Sequence, residues 1–418
     1  MKKLGLLSAL MALMACRDAS TGDDAPGDDD LETARGLVAC EDAGDGTVAD
    51  ADGAVADGGA PRDAGVSRDA GSANDAGAPR DAGAGGDACS SLPTQQARVA
   101  CAANAVLATL SSTQRSGINL QLTDDTNRSK WNNLPVGLRP RAGLQLGSLS
   151  ASSQAAVLAM MNVALNDDGR ATMTGILRAD DYLKTMQSGY GSETYSVAIY
   201  GTPSASSDFE VMFGGHHMAY NLNFVGGSFY PVPQHLASEP RGEFTFDGGT
   251  YAPMVPKIDA MFAVYESLDV AQRSGAYLAG QTFSDVVVNP NLDYGRGKSR
   301  TTKAAYPTGA NRKGVLVSTM KPAQQALVTA ALEQWVRQYP AEVADQLMSD
   351  YTVAYGDTYF AWGGSASGAS QNTTGSYLRI DGPRAWVEVS IQGGIVIRGT
   401  PHPHTIYHDK TYDYGGQL

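Results

Sequence analysis

The sequence predicts an α+β fold, a mostly antiparallel or mixed sheet with helices packed around it, preceded by a disordered acidic stalk. Three observations lead there. Helical patterns gather ahead of and between the strand-like runs, without the regular alternation of a doubly wound parallel sheet. The strand-like runs are short, aromatic and β-branched, and are divided by turn signals such as "GTP", "GG", "DGP" and "QGG". Residues 17–88 carry almost no large apolar side chain, so they cannot bury enough surface to offset the entropy of ordering.

The chain opens "MKKLGLLSALMALMAC": two lysines, an apolar run from Leu4 to Met14, a small residue and then Cys16, the plan of a secretory signal. Leu13-Met14-Ala15-Cys16 fits a lipobox, so residues 1–16 are expected to form a lipoprotein-type signal with Cys16 as the acylation site. The run is too short for a stable membrane span. The protein is therefore expected at the cell envelope, facing the periplasm or the exterior, and touching the membrane through its lipid alone.

Residues 17–88 read as the stalk, with the near-repeats "PRDAG", "SRDAG" and "NDAGA". Its aspartates lack the ligand spacing of a calcium loop. It holds 5 Arg against 18 Asp or Glu, a net −13 that equals the formal charge of the whole chain. From Cys89 onward 24 basic residues meet 26 acidic ones, which gives no electrostatic ground for nucleic acid or anionic lipid as a partner. With Cys16 acylated, Cys40, Cys89 and Cys101 remain. Cys89 with Cys101 would close a short loop at the start of the fold, Cys40 in the stalk being the other available thiol. No C-x-x-C occurs.

Residues 90–418 are expected to form a single globular domain, or two subdomains sharing one sheet. Helices are expected around 94–110, 153–164, 257–267, 270–280 and 322–338. In "LSSTQR" and "LDVAQR", Ser111 and Asp269 each stand three residues before a glutamine, a capping-box arrangement, and Pro322 in "MKPAQQ" suits a first helical turn. Those glutamines are helix starts rather than catalysts. Leu327, Ala331, Leu332, Trp335 and Tyr339 form a core stripe. Strands are expected at 195–200, 208–213, 216–224, 358–363, 375–380, 385–392 and 402–407.

Histidine is scarce and clustered: of six, His216 and His217 stand together in "GGHHMAYNLNF", and His402, His404 and His408 in "HPHTIYHDKTYDYGG". On an extended strand, His402, His404, Ile406 and His408 share one face, so H-x-H can present two imidazoles to one ion. Applied to the first cluster, the same period puts His217 with Asn221 and Asn223, and His216 with Met218 and Tyr220 on the other face. His216 and His217 then reach a common point only through a bulge, which Gly214-Gly215 would permit. Three imidazoles with one carboxylate would suit zinc first, or iron, manganese or copper. Asp413, Glu239 and Glu388 are the candidate carboxylates. His235 reads as structural or exposed. No H-E-x-x-H or G-x-S-x-G fixes a reaction.

"WNNLP" at Trp131, "YGTPS" at Tyr200, "FGGHHMAYNLNF" at Phe213, "SEPRGEF" at Ser238, "TYFAWGG" at Thr358, "YLRIDGPRAWVEVS" at Tyr377 and "HPHTIYHDKTYDYGG" at His402 follow one another in order. Together they resemble the motifs of the family catalogued as domain of unknown function 3500, over roughly residues 95–416. The resemblance implies polar positions at His216, His217, Asn221, Glu239, Arg379, Glu388, His402, His404 and Asp413. It also implies arginine where this chain has His408, which takes His408 out of the expected ligand set.

The expected function is a metal-dependent hydrolase acting on a small molecule or peptide. His217, His216, His402, His404 and Asp413 are the candidate ligands, and Glu239, Glu388 and Arg379 the candidate catalytic residues. The alternatives are an oxidoreductase using copper or iron, a metal-independent acid–base enzyme pairing Glu388 or Asp413 with His217, and a non-catalytic envelope protein whose histidines are hydrogen-bonded.

Overall fold

The computed structural model describes residues 85–288 and 306–417. The signal with Cys16, Cys40 and the stalk up to residue 84 lie outside the described residues. Gly85–Ser90 is a short helix tied by a Cys89–Cys101 disulfide to the helix Gln95–Ala108. Ten helices are present among the described residues. Both expected capping boxes form, Ser111 with Gln114 and Asp269 with Gln272, and Pro322 opens its helix.

Fourteen strands follow in chain order. They are β1 (Asn119–Leu120), β2 (Leu144–Gln145), β3 (Ser196–Gly201), β4 (Phe209–Gly215), β5 (Met218–Val225), β6 (Ser228–Tyr230) and β7 (Gln234–Ala237). The rest are β8 (Phe244–Phe246), β9 (Gly249–Tyr251), β10 (Val315–Leu316), β11 (Tyr359–Gly363), β12 (Tyr377–Asp381), β13 (Ala385–Gln392) and β14 (His402–Asp409). Twelve of them form one mixed sheet in the order β1-β3-β4-β5-β7-β14-β13-β12-β11-β10, with β2 beside β3 and β6 beside β5. Among the strand pairs of the described residues only β1–β3 is parallel, so the α+β expectation holds.

Strand β7 joins the two halves. Its Leu236 and His235 lie opposite Met218 and Ala219 of β5, while His235 and Ala237 lie opposite Ile406 and His404 of β14. The C-terminal strand is thereby brought to the middle of the sheet, two places from the hairpin that carries His216 and His217. The expected strands do not include β7, since "PVPQHLASEP" is bracketed by prolines and reads as loop.

Period-two alternation then sorts the sheet into two faces. Met218, Tyr220, Leu222 and Phe224 enter the main apolar core with Leu332, Trp335 and Tyr339. Ala219 and Ile406 face the other way, where Trp131, Val286, Val288 and Tyr306 cover them. The longest helix, Asp167–Met186, is absent from the expected set. Its Gly175 depresses helix propensity but is needed, because a Cβ there would stand 2.9 Å from Pro253.

The covering segment on the second face is fastened by Arg128, which is 1% exposed. Its Nε meets Glu210 Oε2 at 2.5 Å, and Nη2 donates to Asn223 Oδ1 and to the Tyr414 carbonyl. Trp131 Nε1 donates to Tyr414 Oη at 2.8 Å. Breaking a buried pair strands its partner, so Glu210→Ala is expected to cost about 3–5 kcal/mol in denaturant unfolding.

Candidate metal centre

His216 and His217 are not part of a strand. β4 ends at Gly215 and β5 starts at Met218, with Gly215 opposite Met218, so the two histidines are the whole tip of a tight hairpin. The expected strand over 216–224 is corrected accordingly: a turn, not a bulge, resolves the clash of faces. His217 takes φ 63°, a left-handed conformation costing about 1–2 kcal/mol for most side chains. Gly215 serves close approach instead, since a Cβ there would lie 2.8 Å from the Tyr195 ring.

The tip is held on three sides. The His217 N–H donates to the Asn133 carbonyl at 3.4 Å and the Ala237 N–H donates to the His217 carbonyl at 2.8 Å. Arg141 Nη2 donates to the Gly215 carbonyl at 3.0 Å, and Tyr195 Oη donates to the His216 carbonyl. This fixes the His217 ring against those of His402 and His404, with ring centroids 5.0 and 5.2 Å away.

His217, His402 and His404 form a buried group able to hold a metal ion, one nitrogen from each lying within 4.8 Å of the others. His404 Nε2 stands 3.2 Å from His402 Nε2 and 3.3 Å from His217 Nε2. Two zinc–nitrogen bonds of about 2.0–2.1 Å at the tetrahedral angle separate their nitrogens by about 3.3–3.4 Å. Both separations fit that edge.

Asp285 sets the tautomer of His404. His404 Nδ1 lies 2.9 Å from Asp285 Oδ1, and Asn133 Nδ2 donates to Asp285 Oδ2 at 2.8 Å. Asn133 Nδ2 also lies 2.9 Å from His404 Nδ1 but is engaged as a donor to Asp285 Oδ2; an ionised carboxylate only accepts, so the Asp285 contact places the proton on Nδ1 and leaves the Nε2 lone pair to the centre. Burial alone would lift the Asp285 carboxyl, but His404 and Asn133 outweigh it and bring it down to about 2. Burial, reinforced by neighbouring imidazoles, holds His217 and His402 well below the ordinary imidazole range. They are therefore neutral, as ligands must be.

His216 is not in this group. Its ring stacks on His217 at 3.6 Å and its Nδ1 lies 2.6 Å from Asp180 Oδ1, whose other oxygen accepts the Gly191 N–H. His235 is fully buried, not exposed, with its ring 5.6 Å from that of His404 and no partner for either nitrogen. Burial, with His404 adding, lowers it to about 3.

The expected carboxylates are placed elsewhere. Glu239 accepts the backbone N–H groups of Ile395, Val396 and Ile397. Glu388 accepts from Val287 and Val288 N–H, Tyr377 Oη and Trp386 Nε1, and so secures the segment that carries Asp285. Asp413 is 2.7 Å from His408 Nδ1, and His408 Nε2 donates to the Val288 carbonyl at 2.9 Å. Both His408 nitrogens face acceptors; burial opposes the charge, yet Asp413 and Val288 hold this ring above its ordinary value. Arg379 lies over Trp386. Among the described residues the candidate ligand group thus contains imidazoles and no carboxylate.

Residues 93–416 match the family described as Protein of unknown function (DUF3500). The chain belongs to that family. No curated protein and no solved structure matches the chain. The DUF3500 span takes in the whole triad together with Asn133, Asp180, His235 and Asp285. The expected site residues omit those four, because a lone Asp or Asn in "TFSDVV", "RADDYL" or "WNNLP" carries no spacing that ties it to a histidine far along the chain.

Unfolded imidazoles take up a proton near pH 6.5, whereas folded His217, His235 and His402 do so only at lower pH. The unfolded state binds more protons in between, so stability falls as pH drops below about 6.5, for His235 down to about 3. His408 works oppositely, its contribution being full below about 6.5 and lost as pH rises through its raised value. Urea unfolding of the metal-free protein should weaken on acidification by on the order of 1.4 kcal/mol per pH unit for each lowered ring. His235→Leu should make that slope shallower.

Proposed function

We propose that the triad binds one transition metal ion, zinc in the first instance, and that the protein is a metal-dependent hydrolase. The observation that carries this reading is the approach of His404 Nε2 to His402 Nε2 and to His217 Nε2 at tetrahedral-edge spacing, with one nitrogen of each ring within 4.8 Å of the others. Such an ion would supply Lewis-acid chemistry and activate water near neutral pH, with its fourth position left for water or substrate. The chain's own residues do the rest: Asp285 and Asn133 orient His404, and His216, held by Asp180, is the acid–base group beside the triad.

An all-imidazole set also serves copper and iron, which keeps oxidation as the second reading, whereas manganese favours carboxylate oxygen. The lipobox at Cys16 and the acidic stalk support a site at the cell envelope, meeting a small molecule or peptide there. The near-neutral charge from Cys89 onward supports a partner other than nucleic acid.

Elemental analysis of the full-length protein after zinc reconstitution should find close to one equivalent. The double variant His402→Ala with His404→Ala should lose it, and Asp285→Asn should weaken zinc binding by roughly 10–100-fold. Chelation should abolish cleavage of an activated ester. Substoichiometric binding of every transition metal, or unchanged metal content in a double variant that remains folded by circular dichroism, would return the histidines to a hydrogen-bonding role.

A further inference from the structure

Arg379 takes no part in the triad, and its surroundings raise a separate question. The residue is 5% exposed, with its guanidinium carbon 5.2 Å from the centre of the Trp386 ring. Its Nη2 donates to the Lys313 carbonyl at 3.3 Å, while its Nε is buried with no partner. Glu388 lies directly across on β13, but its oxygens are taken by Val287, Val288, Tyr377 and Trp386. Among the described residues no carboxylate stands within ion-pair distance of Arg379.

A second cation shares the same indole. Lys410 Nζ lies 5.1 Å from the Trp386 ring centre, so the two charges are no more than about 10 Å apart. Lys410 meets Asp381 Oδ1 at 2.5 Å, and Arg312 Nε reaches that same oxygen at 3.3 Å. Asp381 therefore serves Lys410 and, with Asp357, Arg312, and among the described residues no carboxylate pairs with Arg379. Arg379 also hydrogen-bonds the Tyr377 side chain, which leaves its buried Nε as the unpartnered donor; burying an unpaired cationic donor is costly, and a guanidinium edge is shaped for a planar or tetrahedral oxyanion. Burial holds the Lys410 amine below its ordinary value, with the Arg312 and Arg379 charges adding to that effect.

We propose that Arg379 and Lys410, both set against the Trp386 ring, form a binding site for an oxyanion, the carboxylate or phosphate group of a small ligand. Arg379 donates through its open edge, and Lys410 adds a point charge. The site is distinct from the triad: Trp386 pairs with His408, four residues along β14 from His404, which is about 13 Å on an extended strand. It needs no metal ion and stands apart from the hydrolase reading.

Calorimetric titration of the full-length protein with inorganic phosphate, and separately with acetate, at constant ionic strength in chloride tests it. Saturable one-site binding of either anion is expected, and the anion that saturates names the group recognised. Arg379→Gln should weaken binding by roughly tenfold or more, and Arg379→Lys should recover part of the loss. Should Arg379→Gln fail to fold by circular dichroism, Lys410→Gln takes its place, with a smaller weakening expected. The proposal is overturned if neither anion saturates the wild-type protein at millimolar concentration. Undiminished affinity in a folded Arg379→Gln or Lys410→Gln variant would overturn it equally.

Discussion

Four residues, Gln234–Ala237, hydrogen-bond to β5 on one side and to β14 on the other, and their register decides what the second face of the sheet can hold. Ala237 donates to the His217 carbonyl while lying opposite His404. The hairpin tip and the H-x-H strand, 187 residues apart at His217 and His404, are thereby set nitrogen to nitrogen. A one-residue slip of this strand would turn His235 to the other face and disrupt the hairpin's anchor together.

Around that junction three buried histidines are each paired with a dedicated carboxylate, while His235 has no partner for either nitrogen. Asp180 with His216, Asp285 with His404 and Asp413 with His408 form three carboxylate–imidazole pairs, each joined through Nδ1. Only the second belongs to a ring whose Nε2 enters the triad. In the third, a carbonyl captures the remaining nitrogen, so that histidine bridges β14 to the covering segment. The same residue pair thus gives a ligand in one place and a structural tie in another, according to what faces Nε2. Glu388 and Glu239 show a parallel division: each carboxylate is spent on holding a loop by its backbone or aromatic donors, which leaves the triad purely nitrogenous.

Much of this was legible before any coordinates. Histidine clustering and strand period placed His402 and His404 on one face; the choice of His217 over His216 matches the triad, but it rests on a strand where the chain makes a turn. The capping signals at Ser111 and Asp269 marked true helix starts. What could not be read depended on distant partners. The turn at His216-His217 is set by the pairing of Gly215 with Met218 and by Asn133, and "HHMAYNLNF" alternates so well that it reads as strand from its first residue. β7 is hidden by its prolines. The helix Asp167–Met186 is obscured by glycines that close packing requires. Asp285 and Asn133 became meaningful only when His404 was found between them.

X-ray absorption at the zinc edge of the reconstituted full-length protein tests the central claim most directly. A first shell of nitrogen or oxygen at about 2.0–2.1 Å, with outer-shell scattering from three imidazoles, is the predicted result. A shell containing sulfur at about 2.3 Å, or oxygen alone without imidazole scattering, would contradict a centre built from His217, His402 and His404.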